Sequence, residues 1–133
     1  MADDLVTWLR ALLDEDERDA RAVEGDGVWD VPSTGVVQLG GVGDLDGLVM
    51  APRNVAHHMA THDPARVLAD VDAKRHILDA HPLEGPSKYV PFQYCGTCQD
   101  GDGIVTAPAP CPTQRALALP YADRPGYRDE WKP

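Results

Sequence analysis

Three thiols and a short list of histidines are the residues whose types and spacing point most directly at chemistry. Cys95-Gly96-Thr97-Cys98 is a C-x2-C, and Cys111 follows with twelve residues between it and Cys98. A small residue inside such a turn lets both sulfurs converge on one tetrahedral ion, as in the first half of a zinc knuckle. Cys111 stands just before a predicted helix, whose N-terminal dipole helps keep a thiolate deprotonated. The fourth ligand must come from a histidine or a carboxylate. Three thiolates on Zn²⁺ already leave one net negative charge, so a neutral imidazole suits the site better than a further anion. His81 is the expected choice. It ends the helix that starts at Pro64, and thirteen residues separate it from Cys95, ample chain to fold back. His58 is the runner-up, Asp100 the carboxylate alternative, and simple capping of the helix by His81 the plainer role.

Other uses of the same residues fit less well. A redox C-x2-C opens a helix in a thioredoxin-like βαβ context; here the pair runs into Gln99-Asp100-Gly101-Asp102-Gly103, a loop. Unliganded cysteines are the remaining alternative. His58 and His62 lie four residues apart on one face of a helix, but Met59 stands where a zincin needs Glu. His62-Asp63 suggests a metal phosphohydrolase, whereas Asp63 placed before Pro64 is more simply a helix cap. Asp100-Gly101-Asp102-Gly103 and Asp44-Leu45-Asp46-Gly47 are fragments of a calcium loop without the later ligands, and they predict turns. Gly40-Gly41-Val42-Gly43 lacks the Gly-Lys-Ser/Thr ending of a phosphate loop and also predicts a turn. No serine or cysteine sits in a nucleophile elbow.

Twenty-two acids against twelve bases give a formal net charge of −10 over 133 residues. Such a surface repels phosphate backbones and anionic leaflets, so neither nucleic acid nor membrane is an expected partner, while a basic or neutral protein is. Met1-Ala2-Asp3-Asp4 has neither the basic nor the apolar region of a signal peptide, and cytoplasmic residence is the expectation. An odd count of three cysteines argues against a disulfide framework and, in a reducing compartment, for metal chemistry.

These groups need elements to hold them. Leu5, Trp8, Leu9, Leu12 and Leu13 recur at helical spacing and predict an amphipathic helix over 3–22, with Asp3 or Asp4 as its cap. The acidic run Asp14–Asp19 reads as its solvated face. Over 27–52, Val28–Val31, Val36–Leu39 and Leu48–Met50 predict a small antiparallel β-meander separated by Gly and Asp clusters. Two helices are expected over 54–81: a short one to Thr61, then one from Pro64 carrying Val67, Leu68, Val71, the stem of Lys74, Arg75 and Leu78. Pro82, Gly85 and Pro86 end it. The thiol loop and a short helix over Thr113–Leu119 fill 94–122, and Tyr127 and Trp131 anchor a tail over 123–133.

Several strings taken together carry a resemblance. They are Asp4-Leu5-Val6-Thr7-Trp8-Leu9-Arg10, Leu13-Asp14-Glu15-Asp16-Glu17, Gly27-Val28-Trp29, His62-Asp63-Pro64-Ala65-Arg66-Val67-Leu68 and Ala73-Lys74-Arg75. Towards the C-terminus they continue with Cys111-Pro112-Thr113, Leu117-Ala118-Leu119-Pro120-Tyr121-Ala122 and Pro125-Gly126-Tyr127-Arg128-Asp129-Glu130-Trp131. The chain resembles, over nearly its whole length, a domain-of-unknown-function family of small proteins from actinobacteria and their phages. The resemblance implies a bacterial or phage-encoded cytoplasmic protein and no particular activity. It also implies that the cysteine before the Leu-Ala-Leu-Pro-Tyr-Ala helix recurs, that the first thiol pair varies, and that His58 matches a recurrent position.

The expected fold is α+β in a single domain over 1–133, mostly helical, with the meander and a zinc-pinned cysteine loop. The expected function is a noncatalytic accessory or protein-binding module with a structural zinc on Cys95, Cys98, Cys111 and His81; an acidic mimic of nucleic acid is a special form of that idea. The rival is a small metal-dependent hydrolase using His58, His62 and Asp63. A closed shell of four protein ligands speaks for the first, an open position for the second.

Overall fold

A computed structural model describes residues 2–99, 102–105 and 107–133; the side chains of Ala2–Asp4, Asp44 and Leu45 lie outside that description. Asp100, and with it one calcium-loop fragment and the carboxylate alternative, falls outside the described residues, as do the side chains of the cap candidates Asp3 and Asp4. Among the described residues the chain forms four α-helices, a three-stranded and a two-stranded antiparallel sheet, and single turns of 3-10 helix. Helix predominates, and the fold is α+β as expected. No helix among the described residues is long and apolar enough to cross a membrane. The chain divides into two compact units, Leu13–Asp72 and Met1–Leu12 with Ala73–Pro133. The division falls inside α1 (Ala2–Ala22) and inside α3 (Pro64–Ala80).

In Leu13–Asp72 the meander follows the predicted runs. The strands β1 (Trp29–Ser33), β2 (Val36–Leu39) and β3 (Leu48–Met50) pair antiparallel in that order. Register alternates the faces: Val37 opposite Val49 is fully buried, whereas Met50 opposite Val36 is 78% exposed. The β1–β2 register shifts between Asp30 and Ser33, where Pro32 supplies no N–H to the ladder. Gly25 has φ +94°, and a Cβ there would run into the Gly40 carbonyl; that close approach lets Asp26 N–H reach Gly40 O at 2.8 Å and extend the hairpin. Gly40–Gly43 is a turn, and Asp44–Gly47 is a turn of 3-10 helix. The helix α2 (Arg53–Thr61) packs on β1 and β2 over the fully buried Ala56.

Asp63 joins two of these elements. One carboxylate oxygen accepts from Arg66 N–H at 2.8 Å, the N-cap bond of α3, and the other accepts from Trp29 N–H at 3.0 Å at the start of β1. The side chain is 8% exposed, so both bonds replace water it has lost.

In the other unit Leu5 and Leu9 of α1 are fully buried, and Leu78 of α3 is nearly so. Helix α3 stops at Ala80, and two further strands appear that carry no periodic signal, β4 (Leu83–Glu84) and β5 (Tyr94–Cys95). Helix α4 (Pro112–Ala118) runs into a 3-10 turn over Leu119–Tyr121. Tyr127 and Trp131 form an aromatic cluster with Trp8, with ring centroids 5.3–5.8 Å apart. Trp8 Nε1 also donates to Pro125 O at 2.9 Å. Arg115 on α4 donates to the carbonyls of Pro110, Glu130 and Lys132 at 3.0, 3.0 and 3.3 Å, and so holds the final turn.

Candidate metal centre

The thiol-bearing segment has little regular structure, so each ligand is placed by a local device. His81 immediately follows the last residue of α3, its N–H bonded to Leu78 O at 3.1 Å. Leu83 pairs with Cys95 across the β4–β5 ladder, which brings the chain after His81 alongside the first thiol. Two bonds then hang the C-x2-C turn on either side of His81: Gly96 N–H donates to Pro82 O at 2.9 Å, and the Thr97 hydroxyl donates to Ala80 O. Cys111 is the N-cap of α4, with Pro112 at the first helical position.

The outcome is one convergent cluster. His81 Nδ1 lies 3.4 Å from Cys95 Sγ, 3.5 Å from Cys98 Sγ and 3.8 Å from Cys111 Sγ. All four ligand atoms lie within 4.8 Å of one another. Among the described residues this is the one group of three or more histidine, cysteine or acidic side chains that could hold a metal ion. Cys95 and Cys111 are 3% and 5% exposed, while Cys98 is exposed. Desolvation, followed by the hydrogen bonds and charges of Cys111 and then Cys95, pushes the Cys98 thiol up to about 11. The protein part alone therefore favours the protonated form of Cys98, and a cation is what would stabilise its thiolate in this cluster. A cavity of about 570 Å³ opens beside the sulfurs, with Gln99, Pro108, Pro110, Arg115 and Pro133 on its walls.

The pair C-x2-C spans a strand end and a loop and opens no helix, contrary to what a thioredoxin-like motif requires. His58 and His62 are exposed on α2 and at its end, with ring centroids 4.3 Å apart. His62 Nδ1 donates to His58 O at 2.9 Å, and both oxygens of Asp63 are taken by backbone N–H groups. These three residues form no shared ligand set among the described residues.

Two residues at the centre escaped the sequence reasoning. Thr97 is one. The other is Gln114, fully buried, whose Oε1 accepts from Cys111 N–H at 2.9 Å while its Nε2 donates to His81 O at 3.0 Å. Cys111 Sγ in turn accepts from Gln114 N–H at 3.5 Å, closing a capping box. The pattern Cys-Pro-Thr-Gln carries that signal once cysteine is allowed the role of serine or threonine. No curated protein and no solved structure matches the chain. A family model does: the one described as "Family of unknown function (DUF6221)" matches residues 2–133, and the chain belongs to that family.

Proposed function

We propose that the protein is a noncatalytic accessory or protein-binding module whose 73–133 portion is stabilised by a structural zinc ion on His81, Cys95, Cys98 and Cys111. The observation that carries this is the set of three imidazole–sulfur distances, 3.4, 3.5 and 3.8 Å. A tetrahedral zinc with sulfur at ~2.3 Å and nitrogen at ~2.0–2.1 Å sets nitrogen–sulfur edges of ~3.5–3.6 Å. Four protein ligands leave no position for substrate or water, which favours a structural over a catalytic ion. Soft thiolates with one imidazole suit zinc and disfavour magnesium or calcium.

The accessory role rests on the acidic surface, with its net charge of −10, and on the engagement of Asp63 by backbone groups. A basic or neutral protein is the partner such a surface accepts, and duplex nucleic acid is the partner it repels. Residence in the cytoplasm of an actinobacterium or of its phage-infected cell is part of the same proposal, since reduced thiols suit it.

Metal analysis of protein purified without chelator tests the reading: about one zinc per chain is expected, released only when the thiols are blocked. Metal-free protein with three freely reactive thiols overturns it.

A further inference from the structure

We infer that Gln114 is the positioning residue of this centre, the group that sets His81 and Cys111 at the separation one metal ion requires. The inference rests on the metal-site reading above and goes beyond it to a residue that donates no ligand atom. Each ligand other than Cys111 is tied to its neighbours by the β4–β5 ladder or by the bonds from Gly96 and Thr97 to the backbone flanking His81. Cys111 reaches the cluster from the N-terminus of α4, a helix of seven residues. A helix that short does not hold its own end in place in water. Ala109 N–H on Gln93 O at 2.8 Å holds the chain before Cys111 near the first thiol, and the Gln114 amide adds the direct tie to the His81 carbonyl, spanning 33 positions of sequence.

The chemistry of the tie explains why the residue is glutamine. The His81 carbonyl needs a donor and the Cys111 N–H needs an acceptor, both from one planar group with no exposed surface. A primary amide offers both at once. An ionised glutamate offers only acceptors, and would set a carboxylate oxygen against the His81 carbonyl beside a cluster that is already anionic. A methionine fills the space and offers neither bond. Fixing two ligands before the ion arrives lowers the ordering cost of binding, the usual way outer-shell groups raise metal affinity.

The experiment is chelator competition for zinc, paired with the absorption spectrum of the cobalt(II) form, on the full chain and three variants. Gln114→Met and Gln114→Glu are each expected to weaken zinc binding about 10–100-fold and to shift the cobalt bands. Ala118→Gly, which loosens α4 at a fully buried position without touching the amide, controls for helix stability. It is expected to leave affinity within about twofold, since no outer-shell group changes. Should Gln114→Met fail to fold, Gln114→Glu, which keeps the Cys111 bond, carries the comparison. Wild-type affinity in the folded Gln114 variants, or an equal loss in Ala118→Gly, overturns the inference and leaves the metal site standing. A wild-type chain that takes up no zinc overturns both.

Discussion

Leu13–Asp72 and the thiol-bearing stretch after α3 hold themselves together by different means. In the first, a three-stranded ladder and a nine-residue helix close over Val37 and Ala56, and one carboxylate, Asp63, satisfies two backbone donors. In the second, strands of two residues and a helix of seven surround four potential ligands, and bonds from Gly96, Thr97 and Gln114 do the joining. A ladder with an apolar face stabilises itself, whereas a loop rich in proline and glycine has few backbone bonds of its own and gains most from a cross-link. The difference places the centre where regular structure is thinnest.

The most drastic way to sharpen that contrast is to remove the ion or a ligand. Chelation, or Cys111→Ser, is expected to abolish metal binding and expose the amides of 83–118 to hydrogen exchange, while Val36–Leu39 stay protected. A structural zinc of the kind proposed would contribute about 10–16 kcal/mol of apparent binding energy. Equal loss of protection in both regions would break the comparison. Asp63→Ala probes the other side. It strips two backbone N–H groups of their acceptor and is expected to cost about 2–4 kcal/mol in a denaturation curve, with zinc content unchanged.

A smaller effect concerns pH in the zinc-loaded protein. Zinc binding releases protons from the thiols, so zinc affinity is expected to weaken as pH falls below neutral, read as zinc released to a chelator at several pH values. The smallest effect is expected from His58→Ala: zinc content unchanged and stability within about 0.5 kcal/mol, as for other exposed positions. A larger loss of zinc from His58→Ala than from His81→Ala would undo the choice between the two imidazoles.

Much of this was legible in the chain. The spacing of Leu5, Leu9 and Leu13 announced α1, Asp63-Pro64 announced the start of α3, and the types of Cys95, Cys98 and Cys111 announced a thiol cluster. His81 was reachable because α3 had to end there, ahead of Pro82, with the thiol loop next in line. The ladder between Leu83 and Cys95 was not reachable: two residues per strand leave no alternation to detect. Gln114 was hidden for another reason. A single buried amide obeys no periodicity, and its capping box reads as one only with sulfur in the place of a hydroxyl.

The bond from Trp8 to Pro125 closes a span of 117 positions, and it has a consequence in time. Residues 13–72 are contiguous, so their partners have all been synthesised once Asp72 has been added. The aromatic cluster instead draws on both extremities of the numbering. At ribosomal speeds of about 5–20 residues per second, Trp8 waits roughly 6–23 s before Pro125 exists. During that interval the leucine face at the start of α1 lacks the later residues of its own unit. A nascent chain arrested near residue 100 should therefore display the meander already folded and Trp8 still fluorescing as in water.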